Sequence, residues 1–169
     1  MARPKLMVCG YGRHGKDTFC DILSDTYGYA FQSSSEVANE LIIWPQWGYS
    51  RYSSKEECFD DRHTGNNRSI WYNLIKDFGE HHPNALAKEI FSNNDIYCGI
   101  RNVDEFYLAW DSGLFDLSIW IDASERCGPE SSDSCSITED DCDIIITNNG
   151  TLDEFEGKII ALMDVIHRM

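Results

Sequence analysis

The chain of 169 residues is 42% hydrophobic and 25% charged, a composition that predicts one ordinary globular domain with a full hydrophobic core. Its 29 acidic residues against 14 basic ones give a net charge of −15, which would repel nucleic-acid backbones and anionic membranes. No apolar run approaches roughly 18 residues, the length of a membrane span, and seven scattered cysteines without CxxC pairs favour a reducing cytoplasm.

A strand and a helix are predicted first in the chain. Residues 5–9 are strand-like and apolar, and residues 15–27 have the spacing of an amphipathic helix. The apolar face of that helix consists of Phe19, Ile22, Leu23 and Tyr27.

A second short strand and three helices are predicted next. The strand covers residues 29–32 and ends in a serine run that can cap a helix continuing to about residue 43. Residues 53–78 follow as an unusually polar and aromatic helix, and Pro83 can begin another helix that reaches Phe91.

Three further strands alternate with two helices in the second half of the chain. The strands are predicted at residues 96–100, 117–121 and 143–147, and the helices at residues 103–110 and 152–168. The apolar stripe of the last helix consists of Leu152, Phe155, Ile159, Leu162 and Ile166.

Two segments extend beyond this alternation. We name residues 33–80 the first excursion and residues 124–141 the second excursion; the second is rich in serine, proline and acidic residues and is expected to be mobile. Strands joined by crossover helices predict an α/β fold. We therefore expect one doubly wound domain over residues 1–169, with a five-stranded parallel sheet flanked by helices.

The most informative motif is the Gly-Tyr-Gly-Arg-His-Gly-Lys-Asp-Thr segment at residues 10–18, which matches GxxxxGK between a strand and a helix. Its glycines let backbone N–H groups turn toward phosphate oxygens, and the helix directs its positive end at the anion. Lys16 adds the charge that bridges the outer phosphates during phosphoryl transfer. The predicted ATP-binding residues of this loop are Gly10, Gly12, Arg13, His14, Gly15, Lys16, Asp17 and Thr18. For His14, occupation of a tolerant position is an alternative to phosphate contact, and we favour it.

The residue after the lysine departs from the usual pattern. A serine or threonine hydroxyl normally holds Mg²⁺ there, whereas this chain has Asp17 followed by Thr18. A carboxylate beside a triphosphate would be repelled unless it meets the metal directly or through a water. Asp17 and Thr18 are therefore the candidate magnesium residues, and Thr18 is also expected to bond a phosphate.

Arginines and aromatic residues form a second group. Arg62 and Arg68 lie in the first excursion and are followed by Trp71, and Arg101 comes just after a predicted strand. Arginine suits bidentate phosphate binding, an aromatic ring can stack on a base, and ligands bind at the carboxyl ends of strands in open α/β sheets. The alternative is a solvated helix whose arginines pair with nearby acidic residues and whose tryptophan only packs.

Arg126 is the only arginine of the second excursion. It could swing onto a transferring phosphoryl group, which would make it catalytic together with Lys16. The alternative is a surface residue that neutralises Glu125 or Glu130.

The sequence resembles the deoxynucleoside monophosphate kinases of tailed bacteriophages over nearly its whole length. The resemblance is carried by the Gly-Lys-Asp-Thr variant of the P-loop and by four blocks, namely DRHTGNNRSIWYNLI, DIYCGIRNVDEF, LSIWIDASER and DCDIIITNNGTLDEF. It implies a P-loop kinase fold and transfer of the γ-phosphoryl group of ATP to a (deoxy)nucleoside monophosphate. The first excursion would bind the acceptor, and the second would close as a lid.

The resemblance also implies roles for particular residues. Lys16 and Thr18 would bind ATP phosphates, and Asp17 would serve Mg²⁺. Asn148 and Asn149 would lie near the adenine, mainly through their backbone. The acceptor phosphate would be held by Arg62, Arg68 and Arg101, and Arg126 would belong to the closing lid. The second excursion departs from many nucleotide kinases because it has one arginine where they have several.

Other functions remain open at this point. One is a P-loop kinase for a different small acceptor, such as dephospho-coenzyme A, and another is a non-catalytic regulator that binds nucleotides. The expected partners are nucleotide substrates and neither nucleic acid nor membrane, with a homodimer as an open alternative to a monomer. The expected compartment is the cytoplasm, that of the host if the protein is encoded by a phage. The sequence names neither the base nor the sugar of the acceptor.

Overall fold

A parallel sheet of five strands forms the centre of the computed structural model, which describes residues 2–132 and 134–169. The strands are β1 Leu6–Cys9, β2 Phe31–Ser33, β3 Ile96–Cys98, β4 Leu117–Asp122 and β5 Ile144–Thr147. Their order is β2-β3-β1-β4-β5, and all neighbouring pairs run parallel. The predicted α/β fold with its five-stranded parallel sheet is confirmed. The arrangement is compatible with a P-loop fold without being specific to it.

Helices connect the strands and cover the sheet. They are α1 Lys16–Tyr27, α2 Ser34–Ala38, α3 Trp44–Gln46, α4 Lys55–Asp60, α5 Asn67–His81, α6 Ala85–Asn93, α7 Val103–Asp111 and α8 Leu152–Ile166. A π-helical segment, Asn39–Ile43, joins α2 to α3. None of the helices in the described part of the chain is long and apolar enough to cross a membrane.

Alternate residues of the central strand face two separate hydrophobic cores. Leu6 and Val8 of β1 pack in one core with residues of α1 and α8, whereas Met7 and Cys9 pack in the other with the first excursion and α6. Side chains alternate between the two faces of a strand, so a fully buried strand requires apolar residues at every position. The carboxyl ends of β1 and β3 therefore emerge between two packed layers.

The predicted helix at residues 53–78 is wrong as one continuous element. It consists of α4 and α5, separated by a turn in which Gly65 has a φ of 55°. The Asn67 side chain donates to the Asp61 carbonyl at 2.8 Å and closes this turn. An asparagine that bonds nearby backbone competes with a helix, which explains the break.

The last helix buries a slightly different stripe from the predicted one. Phe155, Ile159 and Ile166 are buried as expected, but Met163 joins them and Leu152 is 60% exposed. Leu152 is the first residue after the N-cap and lies beyond the part of the helix that packs on the sheet.

The second excursion is packed against the domain over its described residues. Cys135 and Ile137 are buried in the core that contains Met7. The Ser136 hydroxyl accepts from the Val103 backbone N–H at 2.9 Å. These contacts dock this part of the excursion beside the start of α7.

Candidate functional site

Two positions of the loop between β1 and α1 require glycine. Gly10 has a φ of 151°, and a Cβ there would lie 2.8 Å from the Ile121 carbonyl oxygen. Gly15 has a φ of 104°, and its Cβ would collide with the Asn148 side chain. A side chain at either position would force the loop away from β4 and from the turn after β5. The two glycines thus keep this loop, residues 10–15, tight against the sheet edge.

The start of α1 is open to an anion. Its N-cap is Gly15, and no described side chain caps the free N–H groups of the first turn. Unpaired N–H groups and the helix dipole together favour a negative ligand at such an end. The loop therefore has the backbone chemistry of a phosphate-binding site.

Lys16 extends back along the loop from this helix. Its Nζ donates to the Tyr11 carbonyl oxygen at 2.9 Å. Burial, followed by the charge of nearby Arg101, lowers the pKa of the Lys16 ammonium group. A partly desolvated cation so close to another one is well placed to attract a strongly anionic ligand.

A carboxylate of the second excursion joins this loop to the predicted acceptor arginines. Glu130 Oε2 accepts from the Gly12 backbone N–H at 2.8 Å and from Arg101 Nη1 at 2.6 Å. Its Oε1 accepts from Arg68 Nη2 at 2.9 Å. Burial acts to raise the pKa of Glu130, but Arg101 first, then Gly12 and Arg68, lower it to about 2. At neutral pH an anion is thus held jointly by the loop and by two arginines.

Arg62 lies on the same side of the site with unused hydrogen-bonding capacity. Its Nη1 donates to the Phe59 carbonyl at 2.9 Å, and its guanidinium lies 3.8 Å from the centre of the Phe59 ring. Its Nε is buried and has no partner among the described residues. Burial lowers the pKa of Arg62, and the Asp17 carboxylate opposes that shift. The alternative in which Arg62 and Arg68 pair with nearby acids of α4 is not seen in the described structure.

The three arginines and Trp71 line one cleft that is partly open to solvent. Its apolar and aromatic wall includes Trp71, Tyr72, Ile75, Leu86 and Tyr97. Trp71 is only 5% exposed, and its Nε1 has no partner among the described residues. The structure thus brings together all four side chains that the sequence predicted for the acceptor.

A second, open groove lies on the other side of Glu130. Gly12 and Arg13 of the loop and Arg126 of the second excursion line it. Arg126 is exposed, and its Nε donates to the Asn148 carbonyl at 2.7 Å. It forms no ion pair with Glu125 or Glu130 within the described residues, so the predicted surface neutralisation is not seen. Nor does it contact the anion position that Glu130 occupies.

Asn149, in the turn after β5, lies in space beside the start of the second excursion. Its Oδ1 accepts from the Glu125 backbone N–H at 3.1 Å. With the Arg126 contact to Asn148, this bond ties the turn after β5 to the excursion. A nucleotide bound near Asn149 would therefore be in contact with both segments.

His14 is occupied by protein contacts. It is almost fully buried; its Nδ1 accepts from the Ala123 backbone N–H at 2.9 Å, and its Nε2 lies 3.1 Å from the Gly128 carbonyl oxygen. The first bond leaves the ring proton on Nε2, where it is donated to Gly128. The side chain therefore attaches the loop to the segment after β4. This is a defined structural role rather than occupation of a tolerant position.

Asp17 and Thr18 lie in the first turn of α1, beside the anion site. Asp17 is exposed, and the Cys98 thiol lies 3.9 Å from its Oδ1. Within residues 2–132 and 134–169, no group of three or more histidine, cysteine or acidic residues could hold a metal. Magnesium often binds one or two carboxylates together with substrate phosphates and water, so Asp17 with a nucleotide phosphate suits this mode.

Sequence reasoning missed the role of Glu130, which it considered only as a neighbour of Arg126. Its partners are as far as 118 residues away in the chain, and no local pattern signals such contacts. The site thus contains a glycine-dependent loop at the uncapped start of α1, an arginine-lined cleft and a carboxylate between them. Neither a comparison with protein-family models nor a comparison with curated proteins finds a match for this chain.

Proposed function

We propose that the protein transfers the γ-phosphoryl group of ATP to a (deoxy)nucleoside monophosphate and produces the diphosphate. The observation that carries this proposal is the position of the Glu130 carboxylate. One anion is contacted by the loop amide of Gly12 and by Arg68 and Arg101 of the cleft. Phosphoryl transfer needs such a common point, because donor and acceptor phosphates must meet in line under positive charge.

The two substrates then bind on opposite sides of the Glu130 position. ATP occupies the open groove, with its outer phosphates on the loop residues 10–15 and on Lys16. The acceptor occupies the cleft, with its phosphate on the arginines and its base along the aromatic wall. An acceptor phosphate oxygen attacks the γ-phosphorus, the bond from that phosphorus to the bridging oxygen breaks, and ADP leaves.

The local charge of the cleft supports phosphate binding by a protein whose net charge is −15. Burial, followed by Arg68, Arg62 and Arg101, lowers the pKa of His63 at the edge of this site. A histidine loses its proton more easily where the surrounding potential is positive. An acidic protein therefore has one concentrated basic pocket where the proposed reaction needs it.

The test is a coupled assay of ADP release with each nucleoside monophosphate, in the ribose and deoxyribose forms, and with dephospho-coenzyme A. We expect ADP only when a monophosphate is present. ADP formation with dephospho-coenzyme A alone would indicate a kinase for another acceptor. ATP binding without ADP formation for any acceptor would indicate a nucleotide-binding regulator.

Asp17→Asn is expected to shift the magnesium dependence to higher concentration. The carboxylate supplies a charged oxygen beside the donor phosphates, and the amide keeps its shape but not its charge. Titration of Mg²⁺ at saturating ATP measures the midpoint, and the KM of the monophosphate should change less than this midpoint. Asp21→Asn, one turn further along α1, is the control. An unchanged midpoint would mean that Asp17 orients the loop instead.

Glu130→Ala is expected to tighten binding of the acceptor phosphate by roughly tenfold or more, the usual worth of one charge-assisted hydrogen bond. In the wild type a phosphate must displace this carboxylate from Arg68, Arg101 and the Gly12 N–H. Calorimetric titration with a monophosphate, without ATP, measures the change.

Glu125→Ala is the matched control for this variant. Glu125 is an exposed acid of the same excursion, and its side chain makes none of the Glu130 contacts. Equal or weaker phosphate binding by Glu130→Ala would show that the carboxylate does not compete with the ligand.

A further inference from the structure

Glu105 is a carboxylate of the cleft that the phosphate chemistry does not use. It lies in the first turn of α7, where its backbone N–H donates to the Asn102 side chain at 3.0 Å. Its side chain lines the arginine-containing cleft and also a smaller adjoining cleft. No donor in the described part of the chain hydrogen-bonds to its carboxylate, and no described cation pairs with it. Buried or half-buried carboxylates without a partner are uncommon, because desolvation costs free energy that a partner must offset.

The electrostatics at Glu105 agree with a missing partner. Burial, with a smaller contribution from Asp104, raises the pKa of this carboxyl to about 7. Its contact with α5 is made at Gly79, where a Cβ would collide with Oε1. The absence of a side chain at Gly79 thus leaves the space in which the carboxyl lies.

Several polar groups line the cleft around Glu105, and none of the described ones hydrogen-bonds to its carboxylate. The Tyr72 hydroxyl donates to Ser136 at 3.1 Å and accepts from Asn102 Nδ2 at 3.3 Å. Trp71 Nε1 and Arg62 Nε are buried and, like the Glu105 carboxylate, border the cleft without a described partner. Because no described side chain donates a hydrogen bond to the Glu105 carboxylate, a ligand in the cleft can supply the donors.

We propose that Glu105 reads the base of the acceptor and selects guanine, by accepting hydrogen bonds from its N1–H and its 2-amino group. This inference rests on the proposed function, which puts the acceptor phosphate on the arginines of the same cleft. A carboxylate offers only acceptors, and guanine presents two neighbouring N–H donors on one edge. Two such bonds to a charged group are strong and keep Glu105 ionised.

The other bases fit this carboxylate less well. Adenine and cytosine present one amino donor beside a ring nitrogen acceptor, which would require Glu105 to be protonated. Thymine and uracil present a single N–H between two carbonyl oxygens, and these would face the carboxylate oxygens. An ionised Glu105 can therefore accept two hydrogen bonds from guanine but not from any of the other bases.

The experiment is equilibrium binding of each monophosphate to the full chain by calorimetry, without ATP, for the wild type and Glu105→Gln. We expect guanosine and deoxyguanosine monophosphates to bind most tightly. Glu105→Gln should weaken guanine binding roughly ten- to a hundredfold and improve adenine or cytosine, because an amide presents one donor and one acceptor. Asp104→Asn, which removes a neighbouring exposed charge of α7, should leave the order of preference unchanged.

Gly79→Ala provides a second test that keeps the carboxyl group. The added methyl would displace Glu105 from its place beside α5, so the preference for guanine should fall while binding through the arginines persists. A thermal melt shows that both variants are folded. Preference for another base in the wild type, or equal weakening of all bases by Glu105→Gln, would overturn the proposal.

The affinity for a guanine monophosphate, measured over a range of pH in the wild type and in Glu105→Gln, shows whether the ionised or the protonated carboxyl binds the base. Guanine binding should strengthen as pH rises through about 7, where the carboxyl ionises. Weakening over the same range would mean that a protonated Glu105 binds the base, which would also overturn the proposal. The other titratable and charged groups near Glu105 are the same in both proteins, so their effects cancel in the ratio of affinities. Those that line the two clefts are Arg62, Arg68, Tyr72, His82, Tyr97 and Arg101, and Asp104 is the neighbouring acid on α7.

Because this binding experiment contains no ATP, its result is independent of phosphoryl transfer. A guanine preference without ADP formation would contradict the proposed activity and keep the role of Glu105. ADP formation without a guanine preference would support the proposed activity and contradict the role of Glu105.

Discussion

Lys16→Ala is expected to lower phosphoryl transfer by about 10³- to 10⁵-fold, the range seen when a cation that stabilises the transferring group is lost. Lys16 is the lysine of the loop, at the open start of α1, and its ammonium group is already partly desolvated. Its bond to the Tyr11 carbonyl is a contact that a phosphate can replace without a change in the backbone. The charge would act on the transition state, so kcat should fall much more than the stability of the fold.

Turnover measured beside a thermal melt tests this expectation. Lys158→Ala is a matched control, because the Lys158 ammonium also donates to a backbone carbonyl, that of Thr147, but lies on the exposed face of α8. The control should retain normal turnover. A folded Lys16→Ala protein with turnover close to that of the wild type would remove Lys16 from the catalytic assignment.

Arg101→Ala is expected to raise the KM of the monophosphate roughly ten- to a hundredfold while ATP binding stays nearly intact. Loss of one charge-assisted contact costs about 1.5–3 kcal/mol, which corresponds to that range of affinity. Arg101 makes the shortest of the three contacts to the Glu130 carboxylate, at 2.6 Å, and it lines the cleft together with Arg68. Arg68→Ala should behave in the same way.

Initial rates over a range of monophosphate concentrations, with ATP affinity measured separately, decide this prediction. Arg51→Ala is the control, because Arg51 is an exposed arginine of the first excursion whose guanidinium lies 4.9 Å from the Trp47 ring, outside the cleft. If Arg101→Ala or Arg68→Ala weakened ATP binding and spared the monophosphate, that arginine would belong to the donor side.

Local patterns in the sequence determined the order of the elements and the position of the loop. The strand at β1, the glycines at positions 10 and 15 and the helix beginning at Lys16 can be read within a few residues of one another. Such features depend on short-range sterics and on hydrophobic periodicity, which a short window contains. The three arginines and Trp71 could be proposed for the same reason, since their residue types and places relative to the strands were visible.

Only the tertiary structure decided how these residues meet. The turn between α4 and α5 and the packing of the second excursion bring Arg68, Arg101 and Gly12 to one carboxylate, Glu130, across 62, 29 and 118 residues of chain. The position of the Glu105 carboxyl likewise depends on Gly79 of a different helix, where a Cβ would collide with it. Contacts of this kind arise when two layers close over the sheet edge, and their partners are set by packing and charge in three dimensions. A pattern within a short stretch of sequence does not show which distant residues will meet. The sequence therefore predicted the position and type of the loop, and only the fold showed which residues surround it.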